Sequence, residues 1–367
     1  MSETAVSVAM ATYNGERFLQ EQLDSLARQT LCPFELVVCD DGSTDSTVDI
    51  LRRFQAGAPF PVRIYRSETR LGATFNFLGA LGRCTGDLVG FCDQDDIWNE
   101  QKLSVCVEIM RDPRVALVSH SARALSSRPS SRKWKLPNHR PGVWRRYRDF
   151  TFRKALRRLD TLGFSMVLRR AVLDQVPIPE YSASLSFVSA HDVWACIAAL
   201  LCGRVVLLPD ELALYRLHEG NITLRSPRAG LARLAPDPWG LERGAENWTG
   251  LARFLRYAAS FCGHTAQAGF SEYIRQFERY GRVCSERATL HRACGRRRAA
   301  FRILFAMLAN GDYASQNLGV QAFVRDTFLA FFWPGTNPMA ARDASPDTAI
   351  SSQDSPRSSI CSKSLVD

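Results

Sequence analysis

Short apolar runs alternate with amphipathic stretches along the N-terminal part of the chain. Ala5–Ala11 is apolar, and in Glu16–Arg28 the residues Phe18, Leu19, Leu23 and Leu26 recur at helical spacing. Phe34–Cys39 with Ser43–Phe54 repeats the pair, as do Val62–Tyr65 with Gly72–Leu81 and Asp87–Cys92 with Asn99–Arg111. Val115–Ser119 makes a fifth strand. Strands alternating with helices of this length predict right-handed βαβ units, hence an α/β fold with a mostly parallel sheet flanked by helices.

Beyond Ser121 the pattern loosens into a loop punctuated by Pro129, Pro137 and Pro141. Thr161–Leu168 reads as a strand, Asp192–Cys202 as an apolar helix, and Val205–Leu208 and Leu212–Leu217 as two further strands. From about Arg225 to Trp333 the periodicity is helical, and Pro334–Asp367, rich in Ser, Asp and Pro, predicts a disordered tail. The expected organisation is an α/β domain over 1–224, a helical region over 225–333 and a tail over 334–367.

Ligands on such sheets bind beyond the carboxyl ends of the strands, so the residues at those ends matter most. Three predicted strands end in polar clusters: Thr12-Tyr13-Asn14, Asp40-Asp41-Gly42-Ser43, and Asp93-Gln94-Asp95-Asp96. In extended chain, Asp93 and Asp95 share one face about 6.5–7 Å apart, a spacing that holds a hard divalent ion such as Mg2+ or Mn2+. Asp95 or Asp96 would equally serve as a cap for the helix near Asn99. Asp40 and Asp41 suit either a ribose and base or a capped turn; Asn14-Gly15 suits a left-handed turn. Asp192 opens a helix, where the dipole keeps a carboxylate ionised; it is a candidate general base or an N-cap. Arg216 and His218 alternate onto one face near a strand end, facing either a diphosphate or solvent on an edge strand.

Charge adds a second theme. The net charge is +10, and Ser121–Asp160 carries thirteen Lys/Arg against Asp149 and Asp160 alone. Arg292, Arg296, Arg297, Arg298 and Arg302 form another basic run. Such patches favour phosphate-bearing partners, an anionic membrane face or nucleic acid. The eleven cysteines include no C-x-x-C pair, so neither a zinc knuckle nor a disulfide framework is expected, in keeping with a reducing compartment. Met1–Thr4 lacks a signal-like n-region. No run reaches the roughly 18–20 apolar residues of a membrane span.

Taken together, Val8–Gly15, Glu21–Leu26 with Gln29-Thr30, Val37–Asp45, Phe91–Trp98, His191–Trp194 and Tyr215–His218 resemble the family 2 glycosyltransferases. These are inverting enzymes of the GT-A fold, and the order and spacing are similar to a bacterial rhamnosyltransferase-like subgroup. The resemblance implies a donor half over about 1–120 and an acceptor half over about 121–224. It implies that Thr12, Tyr13, Asn14 and Glu16 line the donor, with Asp41 at the base and Asp40 beside it. It places Asp93 and Asp95 on ribose and metal, Arg216 and His218 near the diphosphate, Asp192 as base, and His191 and Trp194 at the acceptor. Gly163-Phe164-Ser165-Met166 and Arg70-Leu71-Gly72 depart from the subgroup's pattern.

The expected function is transfer of a sugar, rhamnose from dTDP-rhamnose or another from a dTDP- or UDP-sugar, to a lipid-linked or surface-polysaccharide acceptor. The expected setting is the cytoplasm, with peripheral contact at the inner face of the cell membrane. A sugar-nucleotide-forming nucleotidyltransferase would share the fold but calls for a Gly-rich loop after the first strand, where Thr12-Tyr13-Asn14-Gly15 stands. A nucleic-acid-binding protein would use the basic run with Trp134, Trp144 and Tyr147, but leaves the strand-end carboxylates unexplained; no nucleic acid is expected.

Overall fold

The computed structural model describes residues 4–126, 148–150, 162–178, 191–219, 221, 238–261, 264–293 and 297–310, with 312, 323–324 and 326–327. The chain divides into two compact units, the first ending at Leu224 and the second beginning at Arg225.

The first unit is built on one nine-stranded sheet. Its first half is the predicted alternation: β1 (Val6–Thr12), α1 (Leu19–Ala27), β2 (Glu35–Asp40), α2 (Thr47–Gly57), β3 (Val62–Arg66), α3 (Ala73–Arg83), β4 (Leu88–Asp93). In space the strands run β3-β2-β1-β4, all parallel. Val8, Met10, Leu36, Val38 and Leu88 are buried with Leu19, Leu23 and Leu26 of α1 in one core. Strands covered on both faces read as continuous apolar runs, which is why β1 and β2 are buried at every position. Helix α2 starts four residues later than its periodicity suggests, because Ser43–Asp45 is spent on side-chain contacts described below.

Beyond β4 the sheet becomes mixed. β5 (Ile97–Trp98) precedes α4 (Lys102–Met110) and β6 (Val115–Ser126). β7 (Arg148–Phe150), β8 (Met166–Arg169), α5 (Val172–Gln175), α6 (His191–Cys202) and β9 (Arg204–Leu217) follow. The order continues β4-β8-β6-β9-β5, with β7 also on β9. β8 lies antiparallel between β4 and β6. Two expectations change here. β6 extends through Ser126 rather than giving way to loop at Ser121. The two short strands expected over 205–217 are one strand, β9, in which Pro209 and Asp210 are exposed where the pairing with β6 slips register. A bulge at a proline lets the strand continue without its missing donor. Trp134, Trp144, Tyr147 and the tail from Pro334 lie outside the described residues.

The second unit holds α7 (Pro238–Phe261), α8 (His264–Arg292) and α9 (Arg297–Ala309). Trp248 of α7 stacks on Phe277 of α8, and Gly281 lets the helices close up, since a Cβ there would sit 2.6 Å from Thr249 Oγ1. On α8, Arg287 forks onto the buried Asp326 carboxylate (2.6 and 2.9 Å) beside His291. No helix among the described residues is long and apolar enough to cross a membrane.

Candidate active site at the carboxyl ends of the strands

The carboxyl ends of β1, β2 and β4 lie side by side, since β1 pairs with both neighbours in parallel register. The loops that follow are stitched by side chains. Asp40 is fully buried and accepts from Thr12 Oγ1 (2.9 Å), Ser43 N–H (2.8 Å) and Ser43 Oγ (2.5 Å). These bonds tie Asp40 to Thr12 and Ser43 and fix both. Asp41 accepts the N–H groups of Leu71 (2.6 Å) and Gly72 (2.9 Å). Asn14 stands at φ +46°, the left-handed conformation anticipated for Asn14-Gly15, but taken by the asparagine. Its N–H donates to Ser43 Oγ and its side-chain Oδ1 accepts Thr44 N–H (both 2.9 Å). Glu16 accepts Ser46 N–H (3.0 Å) on the surface. Tyr13 carries the Arg70 guanidinium 4.1 Å above its ring.

The turn after β4 gathers the acidic groups. Ligand atoms of Asp93, Asp95 and Asp96 lie within 4.8 Å of one another. Helix α4 begins at Lys102 after Gln101, so neither Asp95 nor Asp96 caps it. Asp96 is fully buried, accepts Arg216 N–H (3.1 Å) through Oδ1 and leaves Oδ2 without a hydrogen bond. Burial, and then the charges of Asp95 and Asp192, push Asp93 up to about 8. The His191 ring lies 5.4 Å from the Phe91 ring of β4, two residues before Asp93, which brings its neighbour Asp192 toward the same turn. Three carboxylates gathered this closely offer the oxygen ligands a hard cation takes. Because Asp93 must release its proton first, cation affinity should climb with pH and level off near 8, measurable by calorimetric titration of manganese.

β9 brings the remaining pieces. Arg216 Nε donates to the Asp95 carbonyl (3.0 Å), Nη2 to Glu21 (2.7 Å), and the guanidinium lies 4.6 Å from the Phe18 ring centroid. His218 Nε2 is 2.8 Å from Asp95 Oδ2. Both residues hold the acidic turn. Beneath it, Lys102 is fully buried, donates to the Phe164 carbonyl (2.6 Å) and lies 3.2 Å from the Trp98 ring centroid. Burial depresses its ammonium to about 7, against the pull of nearby anions including Asp96 and Asp93.

Asp192 is the second residue of α6 and accepts Val193 N–H (2.7 Å). Burial outweighs the helix end here and lifts it to about 6. His191 packs on Phe77 (3.9 Å between centroids), and burial drops it to about 3, so it is neutral. Trp194 is fully buried on the inward side of α6. The departing segment Gly163–Ser165 forms a buried 3-10 turn, with Ser165 Oγ 2.8 Å from Ser119 Oγ and Phe164 stacked on Tyr215.

One positioning residue is missed by sequence reasoning. Gln94, between the two aspartates, receives Tyr13 N–H (2.9 Å) and donates to the Tyr13 carbonyl (3.0 Å). Gly15 is required beside it, since a Cβ there would sit 2.2 Å from Gln94 Oε1. A middle residue pointing away from the Asp93 and Asp95 face was the available signal. Two lost hydrogen bonds are worth about 1.4 kcal/mol together, so Gln94→Ala should raise donor KM about tenfold while kcat changes less. Steady-state kinetics with a melting curve would check this.

The family described as Glycosyl transferase family 2 matches residues 7–176. An uncharacterized protein of Mycobacterium tuberculosis is 29% identical over 220 residues, 59% of this chain and 60% of that protein. The chain thus spans about 60% of the length of the first curated relatives it matches. An Escherichia coli UDP-Glc:alpha-D-GlcNAc-diphosphoundecaprenol beta-1,3-glucosyltransferase, WfgD, is 24% identical over 61% of this chain and 81% of its own. The dTDP-rhamnosyl transferase RfbG of Shigella flexneri is 32% identical over 34% of this chain and 44% of its own. Among solved structures, a Pyrobaculum calidifontis mannosyltransferase in complex with GDP-Man and Mn2+ superposes with a TM-score of 0.51 at 18% identity, covering 90% of this chain and 86% of that one.

Proposed function

We propose that this chain, whose residues 7–176 match the family described as Glycosyl transferase family 2 and whose fold is GT-A, is an inverting, metal-assisted glycosyltransferase. The observation that carries the reading is that Asp93, Asp95 and Asp96 cluster within 4.8 Å while His191 packs 5.4 Å from Phe91 of β4, bringing Asp192 toward that turn although about 100 residues separate them in sequence. Asp93 and Asp95 would hold a divalent cation, Mg2+ or Mn2+, which would supply positive charge to neutralise the departing nucleotide diphosphate. Thr12, Tyr13 and Asn14 line the nucleotide. Asp41 faces the base: an ionised carboxylate has about four acceptor positions, and Leu71 and Gly72 take two. Arg216 and His218 keep the acidic turn in register beneath the diphosphate.

Asp192 accepts the proton of the acceptor hydroxyl as its oxygen bonds to the anomeric carbon. The bond from that carbon to the diphosphate oxygen breaks on the opposite side, so the configuration inverts. A carboxylate lifted to about 6 is a stronger base than an exposed aspartate and is still ionised at neutral pH. His191, neutral and wedged on Phe77, sets the start of α6 rather than sharing the proton.

For the donor we favour dTDP-rhamnose, supported by the RfbG likeness; the WfgD likeness supports a UDP-sugar instead. The acceptor is a lipid-linked or growing surface polysaccharide, met at the inner face of the membrane. Incubation with dTDP-rhamnose, UDP-glucose, UDP-GlcNAc and GDP-mannose, with manganese or magnesium, tests the assignment. Metal-dependent hydrolysis or thermal stabilisation by one donor supports it; silence across the panel overturns it.

A further inference from the structure

We infer that helix α9 is a docking face for an anionic membrane surface. Its inward side is taken: Ala300, Leu304 and Met307 are buried with Val283 and Leu290 of α8. The opposite side of a surface helix is ordinarily polar, and here it is not. Phe301, Phe305 and Leu308 are 51%, 62% and 44% exposed, and the two phenyl rings stack 6.2 Å apart. Arg298 and Arg302 are exposed on the same side, as are Ala299, Ala306 and Ala309. At about 100° per residue, Leu308, Phe301 and Phe305 form one edge of that face, and Arg298 and Arg302 follow directly beside it. Arg297–Ala309 contains no acidic residue.

Among the described residues no carboxylate pairs with Arg298 or Arg302, and Glu278 and Glu286 of α8 pair instead with Arg256 and Arg282. Exposed phenylalanine and leucine beside arginine, without a carboxylate, suit a helix lying in the headgroup layer: the rings enter the acyl boundary and the guanidinium groups meet lipid phosphates. A second copy of this chain would also cover the rings, but it would bring like-charged arginines together, which favours lipid over copy. The inference deepens the acceptor side of the proposed function, since a lipid-linked acceptor lies in such a surface.

The test uses the full chain, without donor, and vesicles of phosphatidylcholine alone or mixed with phosphatidylglycerol. Phe305→Trp adds an indole at the most exposed ring. With brominated phosphatidylcholine in the mixed vesicles, its fluorescence should be quenched beyond the wild-type background of seven tryptophans. Arg302→Gln should lower partitioning about fivefold at low salt, and high salt should erase the difference. Three results would overturn the inference: no added quenching, equal binding to vesicles lacking phosphatidylglycerol, or a lipid-free blue shift that grows with protein concentration. Because no sugar nucleotide is present, failure here leaves the donor assignment standing, and failure of the donor panel leaves this result standing.

Discussion

Asp192→Asn should abolish sugar transfer while leaving nucleotide-sugar binding within a few-fold of wild type. Asparagine is as good a helix cap as aspartate, so a residue serving only to start α6 would tolerate the change. A base would not: the amide cannot take the acceptor proton, and losses of about 10²–10⁴ are typical when such a group is removed. The pH profile separates the roles further. With a base at about 6 and saturating cation, kcat/KM falls about tenfold for each pH unit below that value and is flat above it. The Asn variant should lack that acidic limb. Stability should move the other way. A carboxyl raised on folding favours the native state most below its unfolded value of 3.8, and that advantage is lost as pH rises through about 6. At neutral pH the ionised group therefore burdens the fold, and Asp192→Asn should melt higher than wild type. An inactive variant that melts lower would point to a structural role.

Chelation of the divalent cation should lower transfer about 10³-fold, on the scale of several kcal/mol of charge stabilisation, and Asp95→Ala should reproduce most of that loss. The informative measurement is the combination. If Asp95 acts through the cation, chelating the variant removes little more, because the interaction is already gone. Additive losses would instead mean that Asp95 acts by fixing His218, its partner at 2.8 Å. Steady-state rates of both proteins, with manganese and with a chelator, decide between them.

The parallel half of the sheet is plain in the sequence, because strands covered on both faces must be apolar runs, and β1, β2 and β4 are. The far half is less so. Residues 205–217 read as two strands because Pro209-Asp210 looks like a turn; only pairing with β6 shows that it is a bulge. The site residues are legible as polar clusters at strand ends, but not the division of labour among them. Asp40 and Asp41 are adjacent and chemically identical, yet one bonds Thr12 and Ser43 and the other bonds the N–H groups of a backbone loop. No local pattern encodes that, because the partners come from elsewhere in the chain. Trp194 looked suited to an acceptor and is buried, since an apolar helix does not declare which side faces inward. Alternation turns Gln94 away from the Asp93 and Asp95 face, but its main-chain partner at Tyr13 leaves no further sequence signature.

The acidic turn is anchored at both ends by one sheet: β4 leads into Asp93, and β5, starting at Ile97, pairs with β9 at Ala213 and Leu214. Asn99 N–H also reaches the Leu212 carbonyl (3.0 Å). A segment pinned this way has little room to drift, so grafting it alone into another scaffold would fail unless residues 212–218 travelled with it. The transplantable unit is two stretches of chain, and either one without the other is an ordinary surface loop.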